Sequence, residues 1–136
     1  MHNCTFCKII NGSLPSYKIY EDLDVIVFLD IKPTSDGHTL IVPKQQIDYI
    51  FDMEDKDLGD MFIFAKKTAI AIKKNIPCEK VGIAVIGLEV SHAHIHLVPI
   101  NGVYDIDFSR EKLKLSPERF SEIAEMLRDS ANKLIK

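Results

Sequence analysis

The chain has 136 residues, 46 % of them hydrophobic, and a domain of this size buries roughly two-thirds of its unfolded surface without staples. Seventeen basic against twenty acidic residues leave a net charge of −3, which gives no reason to expect a nucleic-acid polymer as partner. A charged fraction of 27 % with six Gly and six Pro excludes the disordered and fibrous classes.

The N-terminal stretch MHNCTFCKIINGSLP has no basic segment leading into an apolar run, so no secretory signal is expected. No apolar run approaches the roughly 18 residues of a membrane span. Cys4, Cys7 and Cys78 form an odd set ill suited to a disulfide framework, which predicts a reduced, cytoplasmic protein. Repeats and low-complexity tracts are absent, and residues 1–136 read as a single domain.

Residues 4–11 predict a short helix ended by Gly12 and Pro15. Tyr17 to Glu21 and Val25 to Asp30 read as a hairpin joined through Asp22-Leu23-Asp24. After punctuation by Pro33, Ser35, Asp36 and Gly37, His38 to Pro43 is the third strand. A long helix follows from Glu54 to Ile76, with Leu58, Met61, Phe62, Ala65, Ala69, Ile72 and Ile76 on the expected buried face, and Pro77 stops it. Val81 to Ile86 reads as a buried strand, and Val90 to Pro99 as the next. Asn101 to Leu115 lacks periodicity and reads as a loop with one short strand piece. Ser116 and Pro117 start a last helix over about 117–135, expected to bury Phe120, Ile123, Leu127, Ala131 and Leu134. Strand pairs with short connections predict an α+β fold with a mainly antiparallel sheet.

The five histidines are His2, His38, His92, His94 and His96. In the run Ser91-His92-Ala93-His94-Ile95-His96-Leu97-Val98-Pro99, strand alternation puts the three imidazoles on one face, about 7 Å apart, and Ala93, Ile95 and Leu97 on the other. Three chemistries suit such a row: metal ligation, nucleophilic catalysis by a neutral ring whose neighbours hold its tautomer, and anion binding by protonated rings. Spacing does not choose between the first two. Glu89, an odd number of residues from His92, points to the other face of a regular strand.

His-Ala-His-Ile-His-Leu-Val resembles the signature of the histidine triad (HIT) family of nucleotide hydrolases and transferases. The similarity extends over residues 4 to 99 and includes CTFCKIINGSLPSYKIYED, VFLDIKPTSDGHTLIVPK and Gly87-Leu88-Glu89-Val90. It implies a HIT-like antiparallel five-stranded sheet with two main helices, a homodimer, a small-molecule nucleotide as ligand, and no cofactor. It also implies hydrolysis of nucleoside phosphoramidates or dinucleoside polyphosphates, purines preferred, through a covalent nucleotidyl-histidine. In that scheme His94 is the nucleophile on the α-phosphorus. His96 hydrogen-bonds the phosphate or leaving group, His92 orders the row, and His38 supports it from behind. Asp30 takes the ribose hydroxyls, and Phe6, Phe28 and Ile31 line the base pocket.

The chain departs from the family pattern in two places. Leu88 stands where a glutamine usually contacts phosphate, and no asparagine lies between Val81 and Val90. Gln45 and Gln46 stand where members with a Cys-x-x-Cys pair have a zinc-binding histidine, with His2 as the one other candidate ligand, so no metal is expected. Leu88 leaves open a nucleotide-binding protein with weak or lost turnover, and the row itself leaves open a metal-dependent hydrolase using the three histidines.

Overall fold

The computed structural model describes residues 4–135. Helix α1 (Thr5–Ile10) is followed by the hairpin β1 (Lys18–Glu21) and β2 (Val25–Leu29), then β3 (Thr39–Pro43), α2 (Asp55–Asn75), β4 (Lys80–Ala84), β5 (Ile95–Ile100) and α3 (Pro117–Ile135). Single 3-10 turns lie at Ile50–Asp52 and Val103–Ile106. The strands form one sheet in the order β1-β2-β3-β5-β4, every neighbouring pair antiparallel. This is the α+β architecture, an antiparallel five-stranded sheet with two main helices, that the sequence predicts.

Alternation along the inner strands divides the sheet into two chemically different faces. Val27, Leu29, Ile41, Ile95 and Leu97 point to one face, where α2 and α3 cover them in a shared core with Met61, Ile72, Ile123 and Leu127. Ile26, Phe28, Leu40 and Val42 point to the other and meet Phe6 of α1. His96 pairs with Leu40 across β3 and β5, so it belongs to this second face. Helices α2 and α3 fill one side of the sheet, and α1 and the histidines occupy the other.

The helices are set by local signals. The Ser116 hydroxyl accepts the Arg119 amide at 3.1 Å and caps α3. Asp55 and Asp57 lie in the first turn of α2, Lys73 and Lys74 in its last, which suits the helix dipole. Gly37, at φ +89°, has Ile76 and Pro99 against it, so a Cβ there would meet Ile76 Cγ1 at 3.0 Å. Among the described residues no helix is long and apolar enough to cross a membrane.

Several expectations change. The buried face of α2 runs through Met61, Ala65, Thr68, Ala71 and Ile72, while Phe62 is exposed; the one-residue offset from Met61 turns Phe62 about 100° away from the core. Leu134 is only half-buried, and Ala124 is buried instead. β4 ends at Ala84 and is partly exposed, because it is an edge with a neighbour on one side only. Residues 101–115 hold a 3-10 turn and no strand. β5 starts at Ile95 rather than Val90. A continued register would set Ala93 against Pro43, which has no N–H to give the ladder; Ala93 instead donates to the Ile47 carbonyl at 2.7 Å.

Leu127, 1 % exposed in the α3 core, is the position where truncation is most readily read. Leu127→Ala lowers the unfolding free energy by about 3 kcal/mol, measured as a reduced urea midpoint at unchanged slope.

Candidate active site

All three histidines of the row are buried, as is His38. Their hydrogen bonds assign the tautomer of each ring, because a backbone carbonyl only accepts and a backbone amide only donates. His94 Nδ1 lies 2.7 Å from the His92 carbonyl. Its proton is therefore on Nδ1, and Nε2 carries the lone pair. His92 Nε2 donates to the Pro43 carbonyl at 2.7 Å. His38 Nδ1 accepts the Thr34 amide at 3.1 Å, so its proton is on Nε2 and is donated to His96 Nδ1 at 2.9 Å. That bond places the remaining proton of His96 on Nε2. The result is an unprotonated Nε2 on His94 beside a protonated Nε2 on His96, with the two rings 4.8 Å apart.

The assignments of His38, His94 and His96 require neutral rings, and burial supplies them. It pushes His38 down to about 3 and His96 down to about 4, and it lowers His94 as well, in each case with help from a neighbouring histidine. The 3.6 Å approach of His38 Nε2 to Asp30 Oδ2 is thus a neutral N–H facing a carboxyl group rather than an ion pair. Burial raises the pKa of Asp30, against the Lys32 amide that donates to Oδ1 at 2.9 Å.

Phe6 sits edge-on to the His94 ring at 4.8 Å and to Phe28 at 5.6 Å. The structure therefore brings His38, His92, His94, His96, Asp30, Phe6 and Phe28 together on one face of the sheet. Ile31 is 64 % exposed. Leu88 is also exposed, in the connection ahead of the row. Three participants escaped sequence reasoning. The Thr34 amide and Pro43 carbonyl are backbone groups with no residue-type signature, although the turn residues Pro33 to Gly37 mark where the first would lie. Phe108, whose ring is 4.6 Å from His96, lies in a segment with no periodicity.

The Cys pair overturns one expectation. Cys4 and Cys7 are joined by a disulfide across the N-terminal turn of α1, with Cα atoms 5.1 Å apart, inside the range a bridge needs. The cysteine count therefore no longer argues for a reducing compartment. Both sulfurs lie near His92 Nδ1, at 3.8 and 3.7 Å, and the three groups are close enough to share an ion. The set does not fit structural zinc, which takes four N or S ligands with cysteines as thiolates. Here the sulfurs are bonded to each other, and the amide of Gln46 donates to Cys7 Sγ at 3.5 Å. His2 lies outside the described residues.

Stability should fall as the medium is acidified. In the unfolded chain histidine titrates near 6.5, but in the fold His38 and His96 take a proton only at about 3 and about 4. Between those limits the unfolded state binds more protons, so stability is full above about pH 6.5 and declines below it. Each ring accounts for a loss of about 2 kcal/mol by about pH 5, at about 1.4 kcal/mol per unit. Urea titrations at several pH values read the slope, and His38→Asn flattens it.

The chain is similar to known proteins in sequence and in structure. The HIT domain family matches residues 11–102. An uncharacterized HIT-like protein of Borreliella burgdorferi is 39 % identical over 132 residues, 91 % of this chain and 95 % of that protein. An adenosine 5'-monophosphoramidase of Schizosaccharomyces pombe is 31 % identical over 125 residues, 90 % of this chain and 94 % of that protein. Among solved structures, a hypothetical histidine triad nucleotide-binding protein from Sulfolobus tokodaii has a TM-score of 0.84 at 29 % identity, covering 96 % of this chain and 93 % of that one. With the family match spanning residues 11–102 and a buried histidine row beside α1, this chain belongs to the histidine triad family.

Proposed function

We propose that the protein is a hydrolase of nucleoside phosphoramidates or dinucleoside polyphosphates, with purines preferred, acting on the α-phosphorus through a nucleotidyl-His94 intermediate. The observation that carries this reading is the His94 Nδ1–H bond to the His92 carbonyl at 2.7 Å, which directs the lone pair of a neutral ring outward from Nε2. A neutral, oriented imidazole is what nucleophilic attack at phosphorus needs. The family relationship and the phosphoramidase name of the Schizosaccharomyces pombe relative add support.

In the first step the Nε2 lone pair of His94 forms a bond to phosphorus, and the bond from phosphorus to the leaving atom breaks with its electron pair. His96 Nε2–H hydrogen-bonds the phosphoryl oxygen or the leaving atom, and a departing amine takes a proton from water. A water molecule then attacks phosphorus, loses its proton to solvent, and the pair of the P–N bond returns to His94. Asp30 takes the ribose hydroxyls, Phe6 and Phe28 form the floor of the base pocket, and Ile31 forms its rim. His92 serves through its backbone carbonyl, and His38 holds the tautomer of His96. In this reading residues 1–136 make one domain, since α3 packs into the same core as the strands. A homodimer is part of the proposal. β4 is an edge strand with Ile83 and Ile86 exposed on or beside it, a surface that a second copy would cover.

Leu88 supports a second reading, a nucleotide-binding protein with weak turnover, since an exposed apolar side chain replaces a group able to hydrogen-bond phosphate.

Incubation with an adenosine 5'-phosphoramidate, with and without chelator, decides among them. The hydrolase reading expects turnover that chelator leaves unchanged and that His94→Ala reduces by about 10⁴-fold or more. AMP binding without turnover gives the binding reading, and chelator-sensitive turnover gives a metal enzyme. Because burial lowers the His94 pKa, the acid limb of kcat/KM lies below pH 6.5.

A further inference from the structure

The segment after β5 is irregular, yet it is tied down at several points. Leu113 donates its amide to the Pro33 carbonyl at 2.8 Å. The Arg110 guanidinium lies 4.1 Å over the Tyr104 ring and hydrogen-bonds the Tyr104 carbonyl at 3.1 Å. Ile106 packs over Gly82 of β4, where a Cβ would meet its Cδ1 at 2.9 Å and push that side-chain tip aside. Lys112 turns its ammonium back onto the carbonyls of Phe108 and Arg110.

These anchors converge on one side chain. Phe108 is half-buried and belongs to neither apolar core. The rings it meets are His96 at 4.6 Å and His38 at 5.8 Å, at 56° and 62°. The hydrogen bond it covers, His38 Nε2–H to His96 Nδ1, decides whether His96 Nε2 carries a proton. Water reaching that bond would compete for both nitrogens and free the His96 ring to turn; an aromatic wall removes the competitor and strengthens the bond.

We propose that Phe108 is a positioning residue of the reaction: its ring clamps the His38–His96 pair and excludes water from it, so that His96 keeps Nε2–H directed at the leaving group. The role rests on the hydrolase reading, in which His96 is the donor to substrate. No residue of the alternating row can perform it, because each of those rings is already committed to its own hydrogen bonds.

The test compares Phe108→Ala, Phe108→Leu and Phe108→Tyr with the unaltered chain, using two readouts. In ¹⁵N NMR without substrate, the His38 Nε2–H proton exchanges with water about 10-fold or more faster in Phe108→Ala, while Phe108→Tyr retains the slow rate. In single-turnover experiments, Phe108→Ala slows transfer from an alkylamine phosphoramidate of AMP by about 10-fold or more, short of the roughly 10²–10³-fold loss on deleting a donor outright. It slows transfer from the p-nitrophenyl ester of AMP far less, since that leaving group needs little help. Phe108→Leu, which conserves apolar bulk, falls between and guards against a variant that does not fold. Unchanged proton exchange together with equal losses on the two substrates would overturn the proposal. Absence of turnover in the unaltered chain would instead remove the hydrolase reading, because the exchange rate is measured without substrate.

Discussion

The Thr34 amide controls more of this site than its position in a turn suggests. By donating to His38 Nδ1 it forces the His38 proton to Nε2, and that proton in turn fills His96 Nδ1. Two rings thus take their tautomers from a backbone group that cannot titrate or rotate. The neighbouring ring is held in the same manner but with opposite polarity, since the His92 carbonyl accepts from His94 Nδ1. A donor behind one ring and an acceptor behind the other leave a proton on Nε2 of His96 and a lone pair on Nε2 of His94, side by side.

This arrangement depends on burial. Imidazoles this close would repel one another if charged, and in water their tautomers would interchange. Placed under α1 and beside the strands, they are nearly excluded from solvent, and desolvation keeps His38, His94 and His96 neutral. The cost is borne by the opposite face of the sheet, where Ile41, Ile95 and Leu97 pack against α2 and α3 in a continuous apolar core. One strand pattern therefore supplies both the stabilising face and the chemically expensive one.

The two departures from the family pattern lie at the edges of this frame rather than within it. Leu88 is exposed ahead of the row and leaves every hydrogen bond among the four rings intact. The Cys4–Cys7 bridge and Gln46 crowd the far side of His92, whose Nε2 remains bonded to Pro43. Both changes would act on what approaches the site, not on the tautomers inside it.

The antiparallel sheet, the order of strands and helices, and the grouping of His92, His94 and His96 on one face were legible in the chain, because period-two and period-3.6 patterning are written in side-chain types. Small errors arose where burial depends on neighbours in space: Phe62 points outward, β4 is an edge, and β5 starts at Ile95 because Pro43 has no N–H to offer. Residue types alone put the three histidines in one row and fixed the side of the sheet on which they lie. Only the tertiary structure decided where their protons sit and that Phe108, twelve residues beyond His96 in the chain, closes over them. Those outcomes come from backbone amides and carbonyls meeting rings across long sequence separations, and a backbone group leaves no mark in the identity of its residue.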